Sequence, residues 1–87
     1  MRIKKGFVIR SVGGENIVVP VGEMSKQFHG MINLNETGAY LWRLFSEECS
    51  VDEAVEALQK EYTVNEEIAR CDVEKFVSIL KESGFID

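Results

Sequence analysis

The first third of the chain has the alternating, β-branched pattern of β-strands. Two such runs, FVIRSV at 7–12 and NIVVPV at 16–21, are separated by Gly-Gly-Glu at 13–15, which is typical of a hairpin turn. Pro20 has no backbone N–H to donate, so we place it near the end of the second strand. These patterns predict an antiparallel β-hairpin at the start of the chain.

A third strand is predicted over residues 28–34, with the sequence FHGMINL. Its residues alternate between two faces, with Phe28, Gly30, Ile32 and Leu34 on one and His29, Met31 and Asn33 on the other. Three successive strands most simply form an antiparallel meander. The run contains neither Pro nor Lys, the residues that commonly protect an exposed strand edge, so it can accept an added strand from a partner.

Residues 35–83 carry apolar positions at helical spacing, which predicts three helices. Asn35 caps the first, and Ser50 caps the second in a capping box with Glu53. Their apolar stripes are Leu41, Leu44 and Phe45, with Tyr40 and Trp42 beside them, and then Val51, Ala54, Val55, Leu58 and Tyr62. Three strands followed by three helices predict an α+β fold of the winged-helix type, in one domain spanning residues 1–87.

The third predicted helix is capped by Asn65 and ends at Ser83, before Gly84. Its apolar face, which we assign to the core, carries Ala69, Val73, Phe76, Val77 and Leu80. One flank, with Arg70, Glu74 and Lys81, is interpreted as solvent-exposed. The other flank is a mixed strip of Ile68, Asp72, Lys75 and Ile79. This strip either packs against the sheet or another helix, or it forms one wall of a groove beside the third strand.

The chain has 87 residues, of which 45% are hydrophobic and 29% charged, as in soluble globular proteins. No apolar run reaches the roughly 18 residues that a membrane helix needs, and the N-terminus does not resemble a secretory signal. We therefore expect a cytoplasmic protein that does not bind a membrane. The net charge is +3 over residues 1–34 and −8 over residues 35–87.

This charge distribution bears on the alternative function, a winged-helix transcriptional regulator that binds DNA. The third helix, which would read the bases, begins NEEIARCDVE and has four acids in those ten residues. Such a helix repels the phosphate backbone. We therefore expect no nucleic-acid partner.

The sequence lacks the groupings of residues that catalysis requires. His29 is the single histidine, Cys49 and Cys71 lack CxxC spacing, and Gly13-Gly14 lies between two strands, not before a helix. We expect a protein that is not an enzyme, binds no metal or other cofactor, and keeps both thiols reduced.

Three segments occur in order along the chain: LNETGAYLW at 34–42, SVDEAVEALQKEY at 50–62 and DVEKFVSILKESGFI at 72–86. Together they resemble the PqqD family of small peptide-recognition proteins. VVPVGE at 18–23 also resembles the family's second-strand region, whereas EECS at 47–50 stands where the family often has an Asp-Gly turn. The resemblance implies a winged-helix-like fold. It also implies that the protein binds the leader segment of a ribosomally made precursor peptide and presents it to a modifying enzyme, often a radical SAM protein.

The resemblance further implies that the leader adds as a strand to the third strand, in a groove shared with the third helix. The peptide-binding residues would be Phe28, His29, Gly30, Met31, Ile32 and Asn33 on the strand, with Ile68, Asp72, Lys75 and Ile79 on the helix. The isoleucines and Met31 would contact apolar leader residues, and Asp72 and Lys75 would contact charged ones. The junction at 34–42 is expected to be scaffold. Because an open edge can also pair with a copy of itself, the protein is expected to be a monomer or a weak homodimer.

Overall fold

A three-stranded sheet begins the fold of this computed structural model, which describes residues 1–27 and 32–86. The strands are β1 (Phe7–Val12), β2 (Glu15–Pro20) and β3 (Ile32–Leu34). They lie in the order β1-β2-β3, and both neighbouring pairs are antiparallel. The predicted meander is therefore confirmed.

A two-residue turn joins β1 to β2, because Val12 pairs directly with Glu15. Gly13 and Gly14 have φ angles of 58° and 82°. Both fall in the left-handed region that the tightest hairpin turns require and that glycine adopts without steric cost. The Gly-Gly signal thus fixes the register of the hairpin, and β2 ends at Pro20 as predicted.

A one-turn helix, α1 (Met24–Gln27), lies between β2 and β3 and was not predicted. Four residues are too few to show apolar periodicity, so the sequence pattern carries no signal for it. Ser25 Oγ donates a hydrogen bond to the Gly22 carbonyl at 2.6 Å, which supports the turn.

The predicted third strand is described only over Ile32–Leu34. Ile32 and Leu34 are half-buried and pack against the core, whereas Asn33 is exposed, which matches the predicted alternation. Phe28, His29, Gly30 and Met31 lie outside the described residues.

The three predicted helices are present as α2 (Glu36–Phe45), α3 (Val51–Tyr62) and α4 (Glu66–Glu82). Asn35 Oδ1 accepts a hydrogen bond from the Gly38 N–H at 2.7 Å, and Asn65 Oδ1 accepts one from the Ile68 N–H at 2.9 Å. Ser50 caps α3, and its capping box with Glu53 is complete. Each cap satisfies backbone donors that the first turn of a helix leaves unpaired. The predicted starts of all three helices are confirmed.

The core lies between the sheet and the three long helices. Its α4 contribution is the predicted stripe of Ala69, Val73, Phe76, Val77 and Leu80, all buried. Two aromatic residues differ from prediction. Trp42 is only 3% exposed, with its ring edge-to-face against Phe85 at 5.4 Å between centroids, so it belongs to the core. Tyr62 is 37% exposed and packs edge-to-face on Tyr40.

The segment before β1 is joined to the helical layer by backbone hydrogen bonds that the sequence pattern did not indicate. The Ile3 N–H donates to the Phe45 carbonyl at 2.8 Å, and the Lys4 N–H donates to the Phe85 carbonyl at 2.8 Å. The Ile3 side chain is buried in the core. The start of the chain therefore ties the end of α2 to the residues that follow α4.

The two cysteines are free and differ in environment. Cys49 is buried and Cys71 is exposed on α4. Burial raises the pKa of the Cys49 thiol above its ordinary value, because desolvation disfavours the thiolate. Among the described residues, no helix combines the length and apolarity that crossing a membrane demands.

The residue after α3, Thr63, is the non-glycine residue with a positive φ among those described, at 51°. A β-branched side chain in this conformation costs about 1 kcal/mol, whereas glycine adopts it freely. We expect Thr63→Gly to raise the free energy of unfolding by about 0.5 kcal/mol or more, measured by urea denaturation. Thr63→Ala keeps a Cβ atom and should change it much less. A lower free energy of unfolding in Thr63→Gly would show that the backbone at Thr63 is not strained.

Candidate functional site

β3 lies at the edge of the sheet, with β2 on one side and no described strand on the other. Val18 and Asn16 of β2 pair with Ile32 and Leu34, respectively. In an antiparallel pair, alternate residues direct their N–H and C=O groups to opposite sides. The outer side of β3 therefore presents backbone donors and acceptors to any chain that lies beside it.

A cleft of about 240 Å³ lies next to this edge, between the β3–α2 junction and α4. We call it the β3–α4 cleft and define it by its lining residues, which are Asn33, Leu34, Asn35, Thr37, Gly38, Leu41, Asp72, Lys75, Phe76 and Ile79. Leu41 and Phe76 are buried core residues, so the cleft reaches down to the core. The rim is polar and the base is apolar, an arrangement suited to holding a side chain or a short extended peptide.

The α4 wall follows from the helical spacing of the mixed strip. At about 100° per residue, Ile68, Asp72, Lys75 and Ile79 fall within roughly 60° of one another, adjacent to the core face. Asp72 is nearest the core face and half-buried, and Lys75 is farthest and exposed. Ile68 and Ile79 are 50% and 49% exposed. Half the surface of each isoleucine is therefore open, which favours the interpretation of this strip as one wall of a groove.

The opposite wall is the first turn of α2, which depends on a glycine. A Cβ atom on Gly38 would lie 3.2 Å from Asn35 Oδ1 and 3.4 Å from Leu34 Cβ, closer than most such contacts. Gly38 therefore lets the Asn35 cap and the end of β3 approach the helix closely. The junction at 34–42 was expected to be scaffold, and it does anchor β3. The structure adds that Asn35, Thr37 and Gly38 also line the cleft.

Two charged residues, Asp72 and Lys75, line the cleft. Neither Asp72 nor Lys75 forms an ion pair or a side-chain hydrogen bond with another of the described residues. Across the helix, Arg70 differs, since it contacts Asp52 of α3 at 3.1 Å and Glu66 at 3.5 Å. The Asp52 hydrogen bond raises the pKa of Arg70. The flank predicted to be solvent-exposed thus holds a bridge between α3 and α4.

The structure brings together four of the predicted site residues, Asn33, Asp72, Lys75 and Ile79. Ile32 lies in the same strand with its side chain toward the core, and Ile68 lies one turn before Asp72, outside the lining. The sequence reading missed six lining residues: Leu34, Asn35, Thr37, Gly38, Leu41 and Phe76. Gly38 carried a usable signal, because glycine is unfavourable in a helix unless close packing requires it.

Metal-binding chemistry is not indicated in the part of the chain that the structure describes. No three His, Cys, Asp or Glu residues there are grouped so that they could hold a metal ion.

The model of the family described as Coenzyme PQQ synthesis protein D (PqqD) matches residues 15–86. The chain belongs to the PqqD family. This match confirms the resemblance drawn from the sequence motifs. No curated protein sequence matches this PqqD-family chain significantly.

Among solved structures, one described as "TbiB1 in Complex with the TbiA(beta) Leader Peptide" is similar to this PqqD-family protein. The TM-score is 0.79, and the similarity covers 100% of this chain and 95% of the other at 22% sequence identity. At this identity the comparison shows a shared fold, and it confirms the predicted α+β class.

The Asn35 cap supports both the start of α2 and the edge of the cleft. Asn35→Ala leaves the Gly38 N–H without its partner, and we expect the free energy of unfolding to fall by about 1 kcal/mol. Asn35→Asp keeps a capping oxygen and should retain most of the stability. Chemical denaturation of the three proteins measures the difference, and equal stability of all three would show that the cap contributes nothing.

Proposed function

We propose that this protein binds the leader segment of a ribosomally synthesised precursor peptide by adding it as a strand to β3, within the β3–α4 cleft. One observation carries the proposal: the open edge of β3 and three residues of the α4 strip, Asp72, Lys75 and Ile79, border the same cleft. Membership of the PqqD family supports it. A further support is that a protein of the same fold is described in complex with a leader peptide.

The physics of strand addition fits this cleft. Hydrogen bonds to β3 supply affinity that depends little on the peptide's sequence, because every residue carries the same backbone groups. Selectivity comes from side chains that alternate toward α4, where Ile79 offers apolar surface and Asp72 and Lys75 offer charge. In the free protein both isoleucines are half-exposed, so covering them removes apolar surface from water.

In this proposal the protein is a non-catalytic recognition element, and one domain of 87 residues is sufficient for binding. It presents the bound precursor to a modifying enzyme, for which the family resemblance suggests a radical SAM protein. We place the protein in the cytoplasm, where its two free cysteines stay reduced.

Nothing in the comparisons supports the DNA-binding alternative. On α4, the helix that would enter the major groove, Glu66, Glu67 and Glu74 are exposed. Each would face phosphate groups of like charge.

Mapping the peptide on the protein tests the proposal directly. The probe is a synthetic leader of a short precursor encoded beside this protein's gene. Amide NMR shifts should concentrate in residues 32–34 and along Ile68, Asp72, Lys75 and Ile79. Shifts centred on the hairpin at 7–20 or on the Arg70 flank would show that the cleft is not the binding site.

A charge placed on the α4 wall should weaken binding. Ile79→Asp introduces a carboxylate that a bound strand would bury without a partner. We expect leader affinity to fall by about 2 kcal/mol, roughly 30-fold, in calorimetric titration. Because Ile79 is half-exposed, the variant should remain folded by circular dichroism.

Val12→Asp is the matched control. It makes the same change of charge at an apolar residue that is 59% exposed, on β1 at the other edge of the sheet. Its leader affinity should stay within about twofold of the unsubstituted protein. Equal losses in both variants would indicate a general effect of net charge, not a contact in the cleft.

A further inference from the structure

The spacing of side chains along α4 constrains the peptide that the β3–α4 cleft accepts, and this inference rests on the proposed function. Ile68 and Ile79 are eleven residues apart, which is about 16 Å along a helix that rises 1.5 Å per residue. In a strand rising about 3.3 Å per residue, positions 1, 3 and 5 face the same side and span roughly 13 Å. Three side chains of a five-residue strand therefore match the length of the strip.

For an added strand that runs along α4, the two outer side chains lie within reach of the isoleucines. Centred on the strip, each falls about 2 Å inside Ile68 or Ile79 along the helix axis, a distance that side-chain length bridges. Both isoleucines present open apolar surface. Apolar residues at positions 1 and 5 remove that surface from water, whereas polar residues there do not.

The central side chain meets charges instead. Asp72 and Lys75 lie about 6 Å and 10 Å from Ile68 along the axis, on either side of the midpoint. Asp72 is nearer the core, is already half-buried, and lacks an ionic or hydrogen-bonded partner among the described residues. A strand lying over it removes further water from its carboxylate, at a cost unless the peptide supplies a donor.

Lys75 places a weaker demand on the peptide. It is exposed and farther from the core face, so its long stem can keep the ammonium in water when the cleft is covered. The net charge of −5 also favours the approach of a cationic peptide over an anionic one.

We propose that the bound segment has five residues in the pattern apolar–any–donor–any–apolar, with the donor a Lys, Arg or side-chain amide that binds the Asp72 carboxylate. The two intervening side chains face away from α4. The pattern defines a class of leader sequence and identifies the face of the peptide that contacts α4.

Four capped nine-residue peptides test the pattern, each with Gly-Ser before and Ser-Gly after its five-residue core. The reference core is Ile-Thr-Lys-Thr-Ile, and Thr-Ile-Lys-Ile-Thr has the same composition with the isoleucines on the other face. The remaining two carry Glu or Leu at the centre. In NMR titrations up to 5 mM, the reference should bind at least about tenfold more tightly than each of the others.

Substitutions in the protein identify the side chain that binds the central residue of the peptide. In Asp72→Asn, the preference for Lys over Glu at the centre should fall to about threefold or less, since the carboxylate is gone. Glu74→Gln, the same change on the opposite flank, should keep the full preference. Retention of the preference in Asp72→Asn would overturn the assignment to Asp72.

The outcomes separate this inference from the proposed function. Equal affinities for the four peptides, with shifts at residues 32–34, overturn the pattern and leave strand addition intact. No shifts with any of the four at 5 mM also overturn the pattern, and the encoded leader then decides the proposed function independently. Shifts confined to surfaces away from the cleft would contradict both.

Discussion

Burial of α2 between the sheet and the other long helices positions both walls of the β3–α4 cleft. This helix contacts β3, α3 and α4. Its Phe45 ring stacks against Phe76 of α4 with centroids 6.4 Å apart, while Trp42 meets Phe85 beyond the end of α4. Leu41, buried in the same helix, lines the cleft. Because interiors are close-packed, a shift of α2 would move the strand edge and the α4 strip relative to each other.

The α4 wall of the cleft combines exposed apolar surface with charge. Two half-exposed isoleucines at either end of a strip are separated by Asp72 and Lys75, so they do not merge into one large apolar patch. Charges beside an open strand edge discourage pairing with the wrong chain. Such charges cost little in the free protein, where water solvates them, and in the proposed complex they become selective because the peptide covers them.

The sequence predicted the features that depend on nearby residues, and it missed those that depend on distant ones. The Asn35 cap is a contact within four residues, and the α4 core stripe follows from the period of one helix. Trp42 was predicted to lie beside the apolar stripe of its helix, and not in the core. Its burial depends on contact with Phe85, more than forty residues away, which the helical pattern does not show. Likewise, the cleft-facing role of Gly38 arises only when β3 and α2 meet. The α4 wall could be predicted because Ile68 and Ile79 are apolar residues that lie outside the core stripe of that helix.

The contrast between the two thiols allows a fluorescent label to be attached to one cysteine selectively. Cys49 is buried with a raised pKa, so little of it is thiolate near neutral pH and reagents reach it poorly. Cys71 is exposed and lies one residue before Asp72, on the outer side of the same strip. A thiol-reactive fluorophore would therefore attach to one position without any substitution. Its emission would follow the local change in water and polarity as the neighbouring cleft fills.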